Sequence, residues 1–182
     1  MVDSHLIGNQ HLNRLRAAVL GANDGIVSTS SVVMGVAGAG VENHIIFTAG
    51  MAALVAGALS MALGEYVSVA SQRDAEKAHI KEEHDGDDSH HEYTSPLQAG
   101  IASLLAFSAG GAVPVVAVLV APSELKLTAT VVAVIIALLI TGYVSARFGK
   151  SSPGKAMFRI VIGGSLAMLL TYGIGTLLNV AT

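Results

Sequence analysis

Three residues in the first half of the chain carry side chains able to bind a cation: Asp24, Met61 and Glu65. Asp24 sits inside LRAAVLGANDGIVSTSSVVMGVAGAGV, residues 15–41, an apolar run of membrane-crossing length. A carboxylate at that depth loses its water at a cost of a few kcal/mol, so its retention points to an ion or proton path. Met61 and Glu65 lie in LSMALGEYVSVAS, one helical turn apart and hence on one helix face, with Gly57 and Ser68 near the same stripe. Counted at about 1.5 Å per residue from the cytoplasmic end of each run, Asp24 and Met61 fall at comparable depth, and Glu65 lies one turn nearer the cytoplasm. Two carboxylates and a thioether form a mixed oxygen and sulfur donor set, which suits Fe²⁺ or Mn²⁺ better than the hard, strongly hydrated Mg²⁺. A plainer reading stands beside this one. Small residues around Asp24 let a neighbouring helix approach, so the carboxylate could serve only as a hydrogen-bonding group between helices, and Met61 as core filler.

The second group of candidate ligands is RDAEKAHIKEEHDGDDSHHEYTSP, residues 73–96. His79, Glu82, Glu83, His84, Asp87, Asp88, His90 and His91 there are oxygen and nitrogen donors with affinity for divalent cations. Their spacing matches no closed structural site, and loose metal capture and a plain solvated linker both account for it. Residues 74–83 are good helix formers and predict an extension of the preceding span into water, whereas the run after His84 is turn-like.

The elements that must position these residues are membrane helices. The chain has 182 residues, 52% of them hydrophobic, with only 13% charged, and a mean hydropathy of +0.63. That is too apolar for an ordinary soluble domain. Five runs, residues 17–41, 45–72, 97–123, 127–146 and 160–180, each reach the length that crosses a bilayer core. One of them, LTATVVAVIIALLIT at residues 127–141, is apolar on every face, unlike a helix of a soluble bundle. The fold class expected is therefore all-α, a single five-span membrane domain over residues 1–182. The polar start MVDSHLIGNQHLNRLR lacks the layout of a cleaved signal, so the first run is expected to remain as a helix.

Two local distortions are also expected. Gly21-Ala-Asn-Asp-Gly25 reads as a distorted turn of the first span, and Pro114 after Gly110-Gly111 as a kink in the third. Tyr143, Ser145 and Tyr172 offer polar handles in the last two spans.

Charge sets the orientation. Arg14, Arg16, Arg73, Lys77, Lys81, Arg147, Lys150, Lys155 and Arg159 all fall on one side, and only Lys126 on the other. The positive-inside rule puts the N-terminus in the cytoplasm and, after five spans, the C-terminus outside or in a lumen. Scattered basic residues in a chain of net charge −3 exclude nucleic acid as a partner. The absence of cysteine excludes disulfides, thiolate ligands and cysteine nucleophiles.

Three segments carry a resemblance: residues 15–39 (LRAAVLGANDGIVSTSSVVMGVAGA), 54–78 (LVAGALSMALGEYVSVASQRDAEKA) and 159–178 (RIVIGGSLAMLLTYGIGTLL). On these the chain resembles the vacuolar iron transporter family, which includes the yeast vacuolar calcium-cross-complementing transporter, and within it the plant nodulin-21-like branch. The resemblance implies a five-helix homodimer that moves Fe²⁺, and in some members Mn²⁺, out of the cytoplasm in exchange for protons, along a path at the dimer interface. It assigns Asp24 and Met61 to the family's metal-binding aspartate and methionine. Two departures stand out. Plant vacuolar members have a glutamate where this chain has Ala53 and lack an acid at the position of Glu65, which makes Glu65 the candidate substitute. The family's inserted helical metal-binding domain is reduced here to residues 73–96, so the ligands of that domain do not carry over.

The function expected is thus a proton-coupled exporter of Fe²⁺ or Mn²⁺ with no cofactor of its own. Its partners would be the metal ion, protons, lipid and a second copy of the chain. A carboxylate out of water favours its neutral form and a nearby divalent cation favours the ionised one, so metal and protons would compete for the same oxygens. The membrane expected is a bacterial-type plasma membrane, with a vacuolar or other endomembrane as the alternative. The rival class is a membrane metal sensor or interaction protein reporting through the His/Asp loop, although a mere anchor has no use for intramembrane carboxylates. An intramembrane enzyme ranks below both, because no span holds a nucleophile beside a base or a paired-histidine zinc motif.

Overall fold

A computed structural model of the chain describes residues 3–83 and 95–181, with side chains described over 17–78 and 95–179. Five helices follow one another: α1 (Asp3–Gly38), α2 (Asn43–Glu83), α3 (Pro96–Val120), α4 (Lys126–Phe148) and α5 (Pro153–Ala181). Each contains a segment long and apolar enough to cross a membrane. Among the described residues there is no strand.

The helices run beyond the apolar runs expected to cross the membrane: α1 begins at Asp3, ahead of the run from residue 17, and α5 at Pro153, ahead of the run from 160. Proline suits the first turn of a helix, where its missing N–H would go unused, and α3 likewise starts on Pro96. α2 has 41 residues. At about 1.5 Å per residue that is roughly 60 Å, twice a bilayer core, and the helix runs on through the helix-forming residues 74–83.

α1 is the hub of the bundle. It packs against α2, α3, α4 and α5, which follow in that order around it through α2–α3, α3–α4 and α4–α5 contacts. Among the described residues α2 touches neither α4 nor α5, so the ring stays open between α2 and α5. A strip of α1 with exposed Leu20 and Val32 and half-buried Asp24 and Ser28 is left without a full cover.

Small residues rather than large ones close the α1–α3 seam. A Cβ on Gly25 would collide with the Phe107 carbonyl oxygen, and one on Gly110 with the Ala22 carbonyl oxygen. Backbone approach of this kind is how membrane helices gain packing when lipid is as apolar as their side chains. It also corrects one expectation. The Gly21–Gly25 turn is not distorted: α1 runs through it as continuous helix, and among the described residues only Gly40 and Lys150 have positive φ. The glycines there provide room for α3, with Gly21 beside the Ser103 carbonyl oxygen and Ala106. α3 runs as one helix through buried Pro114.

The core has two parts. Ile26 and Met34 of α1 pack with Val134, Leu138 and Met168 of α4 and α5, while Val33, Ile46 and Val118 join α1, α2 and α3. Outward faces carry Leu63, Leu105, Ile140 and Leu169, all exposed, the pattern of a bundle whose solvent is hydrocarbon. Two buried hydroxyls turn back on their own helices, Thr130 donating to the Lys126 carbonyl at 2.7 Å and Ser30 to the Val27 carbonyl at 3.0 Å, whereas those of Thr29 and Ser103 find no partner among the described residues.

Candidate metal site

The uncovered strip of α1 meets α2 in a cleft of about 300 Å³ lined by Asp24, Ser28, Gly57, Ser60, Met61, Gly64, Glu65 and Phe107. Asp24, Met61 and Glu65 thus share one space. On α2 the lining residues recur at intervals of three and four, which is one face of a helix. Ser68, near the same stripe by count, is exposed and lies off the cleft, as does Ala53.

Asp24 is held from its own helix. Ser28, one turn on, donates its hydroxyl to Asp24 Oδ1 at 2.5 Å. This hydrogen bond from the next turn fixes the direction of the acid. It runs along α1 and not across a helix interface.

Phe107 forms the back wall. It is 2% exposed, and its ring lies so close to Gly57 that any Cβ there would overlap it. The α3 side is therefore sealed by an apolar surface, while exposed Ser60 and Gly64 mark the open side, away from the chain's own helices. Asp24, Met61 and Glu65 are each half-buried between the two.

Strong donors are few for a first-row divalent ion, since the cleft holds only two carboxylates. Among the described residues no three His, Cys, Asp or Glu side chains cluster as a metal site. One chain supplies two carboxylates, one thioether and two serine hydroxyls. The remaining positions fall to water, or to groups entering through the open side.

The loop ligands fare differently. His79, Glu82 and Glu83 belong to the last turns of α2, but their side chains lie outside the described residues. His84, Asp87, Asp88, His90 and His91 lie outside the described residues altogether.

Sequence reasoning passed over Ser28 and Phe107. Ser28 had a usable signal, its spacing of four from Asp24 on one helix face. Phe107 had none, because nothing in its neighbourhood says which face of α3 meets α1 and α2.

A multi-pass helical membrane protein with two carboxylates and a thioether in one intramembrane cleft belongs, by its class, among proteins that handle cations within the bilayer. The model of the VIT family matches residues 15–86 and 77–176, and the chain belongs to that family. Vacuolar iron transporter homolog 1 of Arabidopsis thaliana is 47% identical over 166 residues, 91% of this chain and 83% of that protein. Vacuolar iron transporter homolog 5 of Oryza sativa subsp. japonica is 42% identical over 164 residues, with 89% and 79% covered. VIT-like transporter 1b of Glycine max is 38% identical over 179 residues, with 93% and 78% covered.

Proposed function

We propose that this protein is a metal transporter that moves Fe²⁺ or Mn²⁺ out of the cytoplasm, with Asp24, Met61 and Glu65 as the ligands that receive the ion within the membrane. The observation that carries the reading is their convergence on one half-buried cleft at membrane depth. Membership of a family whose relatives are named iron transporters supports the cargo class.

Transport then follows from competition. The two carboxylates take a divalent cation in their ionised forms and release it when protonated. An ion arriving from the cytoplasm displaces protons there. Protons entering from an acidic far side expel it, provided the cleft alternates in access. Ser28 donates to Asp24 and so orients it, Met61 adds a soft donor that disfavours Mg²⁺, and Glu65 is the acid nearer the cytoplasmic mouth. Phe107 keeps the ion from leaking into the bundle.

Two copies of the chain complete the site in this proposal. The cleft opens outward, it holds only two carboxylates, and the α1 strip beside it is uncovered by the chain's own helices. A two-fold pairing across that strip would bring a second Asp24, Met61 and Glu65 to the same space. The membrane is then one with an acidic far side, a bacterial-type plasma membrane or a vacuolar one.

The test is uptake of Fe²⁺, Mn²⁺, Zn²⁺ and Ca²⁺ by proteoliposomes with and without a pH gradient. The proposal expects Fe²⁺ or Mn²⁺ uptake that grows with the gradient, and it fails if Ca²⁺ moves as readily or if the gradient has no effect.

A further inference from the structure

The α4–α5 hairpin carries a second arrangement that cation transport does not use. Arg147 lies in the last turn of α4, Lys150 in the connection, and Lys155 and Arg159 in successive turns of α5; all four are exposed. No aspartate or glutamate follows Glu124 in the chain. Among the described residues none of the four has an acidic partner. The hairpin is firmly held, since Gly142 of α4 packs so tightly on Met157 of α5 that a Cβ would meet the Met157 Cα at 2.8 Å.

Lys150 makes the arrangement more than a tally of charge. Its φ is 49°, the left-handed conformation that closes α4, and Ser151 N–H bonds back to the Ala146 carbonyl at 3.0 Å. That residue of a helix terminus is ordinarily glycine, because a Cβ is strained there. Membrane orientation needs cations on this side but does not need one at the strained residue. Lysine there puts a cation at the mouth of the hairpin, at a residue where glycine would be less strained.

The neighbours of these cations identify the partner. Phe148, next to Arg147, is 48% exposed, and Phe158, next to Arg159, is 67% exposed. Further into the helices Ile140 and Ile162 are exposed as well, so both helices pass from hydrocarbon-facing to cationic within about two turns. Rings that sit at the acyl boundary beside cations that reach phosphates match a lipid interface, whereas a soluble anion would gain nothing from the rings. We propose that the α4–α5 hairpin is a docking surface for the headgroups of anionic phospholipids, with Arg147, Lys150, Lys155 and Arg159 binding the phosphates and Phe148 and Phe158 setting the depth. The surface is separate from the Asp24 cleft, so the inference stands or falls apart from the transport reading.

The experiment is thermal unfolding of the purified full chain in non-ionic detergent, with dioleoylphosphatidylglycerol, dioleoylphosphatidylcholine or inorganic phosphate added at matched phosphate concentration. Phosphatidylglycerol is expected to raise the unfolding temperature by several degrees more than phosphatidylcholine, and inorganic phosphate to leave it unchanged. Arg147→Gln with Arg159→Gln should remove most of the phosphatidylglycerol increment. Lys150→Gly should raise the baseline unfolding temperature, by relieving the left-handed strain, and yet shrink that increment, a pairing that a merely structural turn residue would not produce. Because Lys150→Gly favours folding, it keeps the test decisive if the double variant fails to insert. Equal increments from the two lipids, an increment unchanged in the Lys150→Gly protein, or an increment reproduced by inorganic phosphate would each overturn the proposal.

Discussion

The hub helix α1 meets its neighbours in two opposite ways within a few turns. Against α3 it closes backbone to backbone, with Gly25 on the Phe107 carbonyl and Gly110 on the Ala22 carbonyl. Against α2 it opens a cleft of about 300 Å³ in which Gly57 and Gly64 alternate with Ser60, Met61 and Glu65. The same residue type performs both tasks. Glycine facing a backbone removes space, and glycine beside long donors on one face creates it. The rigid seam positions Phe107 as the wall, and the open seam exposes Asp24 to what can enter.

Changes at the closed seam should cost the most. Gly110→Val drives a branched side chain into the Ala22 carbonyl and is expected to lower stability by about 3 kcal/mol, at the upper end of overpacking costs. Unfolding in mixed detergent micelles measures it, and a wild-type profile would mean that α1 and α3 do not pack as described. Gly57→Ala, at the border of the two regions, should cost about 1–2 kcal/mol by pressing on the Phe107 ring, and it should slow transport as the cleft narrows. Adding Phe107→Leu should recover part of both losses. A further loss in the double variant would show that the ring and Gly57 are not coupled.

Within the open seam, Ser28→Ala removes one hydrogen bond to a carboxylate and should leave folding nearly intact. The expected effect is a several-fold rise in the half-saturating Fe²⁺ concentration, the loss of about 1 kcal/mol in binding. Unaltered affinity would leave Ser28 without the orienting role assigned to it. The smallest effect belongs to residues outside both seams. Deleting residues 84–93 should leave transport running at close to the wild-type rate, whereas a protein that works as a sensor through that loop would lose its response.

How far the sequence reveals this molecule depends on which physical signal a residue leaves in it. The five spans are legible because about 20 apolar residues in a row leave a chain with few other options than to cross a bilayer. Helix ends are not. The polar residues 3–16 and the start of α5 at Pro153 are helical without being hydrophobic, so hydropathy is silent on them. Asp24 and Glu65 are visible because a charge is expensive inside a span, and Met61 through its spacing from Glu65. Gly21 and Gly25 mislead for a physical reason: the residues that permit a turn in water also permit close packing in lipid, and the second use wins when α3 is there to fill the space. The wall at Phe107 depends on which face of α3 turns inward, a tertiary fact that no local pattern encodes.

The central claim is that Asp24 receives the metal and does not merely tie helices together, and Asp24→Asn tests it most directly, because asparagine keeps the size and can still pair with Ser28. Fe²⁺ uptake under an inward-acidic gradient should be measured in proteoliposomes of the variant and the wild type at matched protein and matched unfolding temperature. Uptake abolished in a stably folded variant is the result predicted. Uptake at the wild-type rate would contradict the account and return Asp24 to a structural role.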